Sequence, residues 1–212
     1  MSLENILFAD QLVKDDLLMI IDAKIATNVL LHGSNGTGKT MIANQIATDL
    51  GLSDCIEFSF DPTNFNVGKL VGTLNIQRMS VNANGLIVID EIDRLKTEAQ
   101  YELQNFVDTY CTDTAEKSAI CSVILTTNNL TKVIPALTSR CSTYHICGPT
   151  PDQLLLTFLS RLTNESVKMS PTAALELLTS ALSPHCKQLS YRNVALQFRK
   201  TVYAATKRIA LW

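Results

Sequence analysis

The chain has 212 residues, 46% of them apolar and 18% charged, with a net charge of −2. That composition excludes a disordered polyelectrolyte and a generally basic nucleic-acid coat, while a local basic surface stays open because steering depends on where charge sits. The longest uncharged apolar runs, 17–21 and 86–89, fall far below the ~20 residues of a membrane span, so no membrane role is expected.

The pattern along the chain is short apolar strands alternating with longer amphipathic segments. This predicts an α/β fold with a parallel sheet and helices on both faces. A helix is predicted over 14–24, then a strand over 28–32. The segment Gly33-Ser34-Asn35-Gly36-Thr37-Gly38-Lys39-Thr40 follows. It fits G-x-x-x-x-G-K-[ST] in full, after a strand and before a helix over 39–50 that continues with Met41. Glycines there let backbone N–H groups converge on phosphate oxygens, and the helix N-terminus adds positive potential. Lys39 would reach the β- and γ-phosphates of ATP, and Thr40 would ligate Mg²⁺. Residues 33–41 form the candidate nucleotide-binding set.

A strand over 56–59 and a helix over 67–80 lead to Leu86-Ile87-Val88-Ile89-Asp90-Glu91. This is a buried strand ending in two adjacent carboxylates. Asp90 would hold Mg²⁺, and Glu91 would act as base or orienter for the attacking water. Asp93 reads equally as a structural group or a surface charge. A helix over 97–110 begins with a Thr-x-x-Gln capping pattern at Thr97. Strands over 122–126 and 143–147, with a short helix over 135–139 between them, complete a five-stranded sheet. Six cysteines form no CxxC pair and read as reduced, mostly buried thiols. At 148–151 the strand signals stop. Helices are predicted over 151–162, 171–182 and 191–210, preceded by Thr150, Ser170 and Ser190 as hydroxyl N-caps. The expected organisation is a nucleotide-binding domain over 1–148 and a three-helix lid over 149–212.

With these residues in hand, the sequence resembles the AAA+ ATPases, and among them clamp-loader subunits of the replication factor C and phage type. The narrower resemblance rests on three stretches: Asp90 to Leu103, Thr126 to Ile134, and Pro135 to Cys141 with its Ser139-Arg140-Cys141 triplet. It implies a P-loop core with a lid, binding ATP and Mg²⁺. It makes Asn128 the sensor at a strand end, with Asn129 as neighbouring candidate. Arg140 becomes an arginine finger acting on the nucleotide of an adjacent subunit, so a homo- or hetero-oligomeric ring is implied. Arg192 becomes the lid residue that meets the nucleotide in cis. Ile6, Leu7 and Phe8 match the segment that packs around adenine. Lys96, Thr97 and Lys69 are candidate contacts to a DNA backbone, whereas Arg199 and Lys200 read as solvated or as partner contacts.

Clamp-loader subunits also carry a helical collar that this sequence does not contain, so the ring is expected to be held by a collar outside the sequence or by partners. The implied work is ATP-driven loading of a sliding clamp in DNA replication. The alternatives are a helicase loader or other remodeller, and a nucleotide-gated assembly subunit with weak hydrolysis of its own. No basic segment leads into an apolar stretch at the start, and a cytoplasmic location is expected, in a bacterium or in the host of a phage.

Overall fold

A computed structural model describes residues 2–23, 27–50, 56–58, 65–80, 85–113, 118–182 and 188–207. They group into two compact units. The first comprises Met1–Ile6, Gln11–Ser34 and Lys39–Ile146; the second comprises Leu7–Asp10, Asn35–Gly38 and Cys147–Trp212. The tip of the glycine-rich loop and a short N-terminal segment therefore group with the C-terminal helices, which a single cut at 148 would not separate out.

The first unit is built on five strands: β1 (Val29–His32), β2 (Ile56–Phe58), β3 (Gly85–Ile89), β4 (Cys121–Thr127) and β5 (Ser142–His145). Every neighbouring pair is parallel, in the order β2-β3-β4-β1-β5. β3 and β4 are buried at every position, which explains their near-continuous apolar sequence. β5 lies at an edge, and its Ser142, Thr143 and His145 are exposed. The strand order matters for the site. The strand that feeds the glycine-rich loop and the strand that ends in Asp90 are not neighbours; β4 runs between them, with Leu125 paired to both Leu30 and Ile89. Whatever follows β4 is therefore delivered between the two motifs.

Helices α1 (Gln11–Asp22), α2 (Lys39–Asp49), α3 (Val67–Ser80), α4 (Thr97–Tyr110) and α5 (Pro135–Thr138) complete this unit. α1 starts one turn earlier than periodicity predicts, its first turn supported by Gln11 Nε2 donating to Asp15 Oδ1 at 2.7 Å. Leu103, Phe106 and Val107 of α4 pack with Leu70 and Leu74 of α3 against Ile87, Ile89, Val123 and Leu125. Burying one such side chain contributes about 1.5–3 kcal/mol, so this cluster fixes α4 on the sheet. Cys111 and Cys121 are buried there as thiols, Sγ to Sγ 3.0 Å, and Cys141 and Cys147 are partly buried thiols.

The capping pattern expected at Thr97 does not form. Lys96 is the N-cap and donates no side-chain cap, and Thr97 is already helical. Gln100 is instead 2% exposed and recruited by distant backbone. Its Nε2 donates to the Lys132 carbonyl at 2.9 Å and the Leu95 carbonyl at 3.3 Å, and its Oε1 accepts from Ile134 N–H at 2.9 Å. One buried side chain thus satisfies three backbone groups, an outcome no local capping rule foresees. β4 runs one residue beyond the expected strand at each end, and β5 spans 142–145 instead of 143–147. Residues 24, 59 and 208–210 of the expected elements lie outside the described ones.

The second unit carries α6 (Pro151–Asn164), α7 (Pro171–Ser180) and α8 (Tyr191–Lys207). Thr150 forms a reciprocal capping box with Gln153, and the Ser170 hydroxyl accepts from Ala173 N–H. Leu154, Phe158, Leu162, Ala174, Leu178 and Val194 form its core. Among the described residues no helix is long and apolar enough to cross a membrane.

Candidate nucleotide site

The site begins where β1 stops. Gly33 leaves the strand with its N–H on the Thr127 carbonyl at 3.3 Å, and a Cβ there would sit 2.2 Å from the Ile146 carbonyl oxygen. Only glycine fits that approach. Gly36 has φ +79°, a left-handed conformation, and a Cβ on it would meet the Ser190 hydroxyl at 2.1 Å. The loop can hold its shape because these positions carry no side chain.

Lys39 opens α2 and is 6% exposed. Its ammonium donates to the loop's own carbonyls, Gly33 O at 2.9 Å and Ser34 O at 2.8 Å. Burial pushes its pKa below the ordinary lysine value, with the negative charges of Asp90, Asp93 and Glu91 acting in the opposite direction. Next to it, Thr40 Oγ1 lies 2.9 and 3.0 Å from the two carboxylate oxygens of Asp90. The donor set is all oxygen, one hydroxyl and one carboxylate, which suits a small hard cation that keeps waters and takes phosphate oxygens. Among the described residues no cluster of three His, Cys, Asp or Glu side chains could cage a metal alone. The residues present thus fit Mg²⁺ held jointly with a polyphosphate.

β4 ties the two motifs together. Thr126 is 1% exposed; its hydroxyl donates to Asp90 Oδ1 and accepts the Glu91 N–H at 3.0 Å. Glu91 sits at φ 55°, ψ 47°, a strained conformation for a non-glycine residue of the kind that clusters at functional sites. One Glu91 oxygen accepts from Asn128 Nδ2 at 3.3 Å and the other pairs with Arg94 Nη1 at 2.8 Å. Asn128 is held in turn. Asp93 accepts its backbone N–H at 3.1 Å and the Thr127 hydroxyl at 3.0 Å. Of the two readings for Asp93, the structural one is what the fold uses. Asn129 is exposed and caps the next turn through Thr131 N–H at 3.0 Å, so the register places Asn128 at the carboxylates.

Arg140 is elsewhere. It precedes β5, whose Ser142 pairs with Val29 at the start of β1, whereas the loop leaves the other end after His32. At about 3.3 Å per residue, a strand length of roughly 10 Å separates it from the Thr40–Asp90 cluster. Its guanidinium bonds to Asp108 and to the Ala136 carbonyl. In the second unit, Tyr191 N–H donates to the Gly36 carbonyl at 2.9 Å, and Arg192, exposed, has its Cβ 3.6 Å from a Cβ built on Gly36. Ile6 and Phe8 are buried, and the Leu7 carbonyl accepts from the Tyr191 hydroxyl at 2.6 Å. Met41 is 44% exposed. Lys96, Thr97 and Lys69 are exposed, with Glu98 and Glu102 following the first two on the exposed side of α4.

Sequence reasoning missed Thr126, Thr127 and Arg94. The two threonines had one signal, hydroxyl side chains closing an otherwise apolar strand; Arg94 had none beyond its place beside the acidic run.

A parallel sheet with a glycine-rich phosphate loop after β1 and an Asp-Glu pair after β3 defines a P-loop NTPase. Residues 29–148 match the family described as "ATPase family associated with various cellular activities (AAA)", and the chain belongs to that family. It is 29% identical over 156 residues to the sliding-clamp-loader large subunit of Escherichia phage RB69, covering 71% of this chain and 45% of that one. It is 27% identical over 216 residues to mouse replication factor C subunit 5, covering 93% of this chain and 61% of that one. The chain therefore spans about half the length of these relatives. In fold it is similar to RuvB of Thermotoga maritima, a Holliday junction branch migration motor, with a TM-score of 0.73 over 95% of this chain and 65% of that one at 19% identity.

Proposed function

We propose that the protein hydrolyses ATP, with Mg²⁺, as a clamp-loader-type subunit in DNA replication. The observation that carries the ATPase reading is the Thr40–Asp90 pair with the Glu91–Asn128 contact beside it, all joined through Thr126. Lys39 exchanges its loop carbonyls for phosphate oxygens, and the N–H groups of 35–38 turn toward the same anion. Magnesium, when bound, neutralises charge on those oxygens. Glu91 accepts the proton of the water that attacks the γ-phosphorus as the bond to ADP breaks, and Asn128 orients that water. Arg192, beside Gly36, adds a cation to the nucleotide.

Arg140 acts on the nucleotide of a neighbouring subunit. Its distance from its own Asp90 cluster supports action in trans, and a guanidinium there neutralises transition-state charge. Subunits then share sites and assemble as a ring. The replication reading is supported by the likeness to the phage sliding-clamp-loader subunit and to replication factor C subunit 5; on this proposal the partners of the present chain are a sliding clamp and DNA. Any DNA contact through Lys69, Lys96 or Thr97 is to the backbone and salt-dependent, without base readout.

The test is steady-state ATP hydrolysis against protein concentration, with and without primed DNA. The reading predicts a rate per subunit that rises with concentration and rises again with DNA. A low rate, independent of concentration and blind to DNA, would reject shared sites and the replication role; stimulation by a hexameric helicase in place of a clamp would move the protein to helicase loading.

A further inference from the structure

Arg140 is not a loose cation. Asp108, on the exposed face of α4, accepts from its Nε, and the Ala136 carbonyl accepts from its Nη1 at 2.6 Å. Asp108 is itself oriented one turn along the helix, where Gln104 Nε2 donates to its other oxygen at 3.2 Å. The backbone beneath is fixed as well: Asn28, 8% exposed, donates from Nδ2 to the Arg140 carbonyl at 3.5 Å and to the Cys111 carbonyl at 2.9 Å, and accepts the Val123 N–H at 3.1 Å. Both charged side chains stay partly open, 31% exposed for Arg140 and 40% for Asp108. They line a polar cleft of about 460 Å³ with Thr27, Thr112, Ser139 and Ser142.

The geometry of the fork is informative. A guanidinium has five N–H donors in one plane. Nε and one Nη1 proton are engaged. Both Nη2 protons remain, one beside Nε and one at the end of the fork, and among the described residues no acceptor meets them. The arginine is therefore held through Nε and Nη1 while its Nη2 group is left to donate to a phosphate oxygen.

We infer that Asp108 is a positioning residue for Arg140, holding its Nε so that the Nη2 group is presented to a nucleotide phosphate of a second subunit. The inference rests on the reading of Arg140 as a finger in trans. The hydrogen bond from Arg140 also holds the Asp108 carboxyl below the ordinary carboxylate range, so the pair persists through mild acid. Asp108 touches no reacting atom. Its whole effect should pass through Arg140, and its loss should slow turnover without weakening the subunit's own ATP site.

The experiment is a double-mutant cycle on kcat and KM for ATP with the wild type, Asp108→Asn, Arg140→Ala and the double variant, melting temperatures being recorded for each. Misplacement of a catalytic group by about 1 Å costs up to about a hundredfold, so Asp108→Asn is expected to lower kcat by about tenfold to a hundredfold with KM within twofold. The double variant should match Arg140→Ala within twofold, and Asp108→Glu should recover part of the loss. A neutral or faster Asp108→Asn overturns the inference while leaving the finger intact. So does a loss of the same size in the Arg140→Ala background, which would mark a merely structural role. If Arg140→Ala itself turns over normally, the finger reading falls and the positioning role falls with it.

Discussion

The two ends of the same sheet are built differently. At the C-terminal ends of β1, β3 and β4, polar side chains from three segments close on one another. Lys39 is held by its loop, Asp90 by Thr40 and Thr126, and Asn128 by Asp93. At the N-terminal ends, one buried amide, Asn28, ties the backbone together, and above it one half-exposed ion pair faces a cleft. The first end gathers groups that suit a small anionic ligand and a cation. The second presents a cation held by Asp108 and the Ala136 carbonyl. On the proposed reading the first end is the subunit's own nucleotide site and the second serves the nucleotide of a neighbour.

Substitutions at the two ends should therefore separate binding, chemistry and assembly. The largest effect is expected from Glu91→Gln, a fall in kcat of up to about 10⁴-fold with ATP binding retained; unchanged turnover in a single-site assay would move the base elsewhere. Arg140→Ala should follow, with a fall in turnover of about 10³-fold and an unchanged Kd for ATP by equilibrium titration. A smaller pair sets the ends against each other. Thr126→Val and Asn28→Ala each orphan buried backbone or carboxylate groups and should each cost about 1–3 kcal/mol in denaturant unfolding. Thr126→Val should slow turnover through Asp90 and the Glu91 backbone and keep that effect in the Arg140→Ala background, whereas any slowing by Asn28→Ala should pass through Arg140 and vanish there. The same residual effect for both in that background would erase the distinction.

The smallest effect concerns pH. His32, at the end of β1, stacks on His145 with ring centroids 4.8 Å apart. Burial, then the charges of His145 and Lys39, lower its pKa below the ordinary 6.5. The unfolded chain thus takes up this proton first, and stability should fall as pH drops below 6.5, until the folded protein is protonated too. His32→Gln should flatten that part of a melting-temperature profile; an unchanged slope would assign the acid sensitivity to other groups.

What was legible in the sequence was what chemistry writes locally. The glycine-rich loop, Lys39, Thr40 and the Asp90-Glu91 ending each sit in a contiguous run whose flanks read as strand or helix. The hydroxyl caps at Thr150 and Ser170 were equally local. The support of the site was not legible, because it is made by partners far apart in the chain: Thr126 reaches Asp90 and Asp93 reaches Asn128 across about thirty-five residues. Gln100 shows the same limit from the other side. Its spacing from Thr97 resembles a cap, yet a carbonyl and an N–H some thirty residues away outcompete the helix end for it. The strand order, which brings Asn128 between the two motifs, could not be read from any one segment.

The most direct measurement is complementation between defective subunits. Lys39→Ala should lack a working phosphate site but keep a good finger; Arg140→Ala should keep the site and lack the finger. Mixed at concentrations where the wild type assembles, the two are predicted to turn over ATP well above the sum of their separate rates. A mixture that stays at that sum would contradict the sharing of sites between subunits, on which this account of the two ends depends.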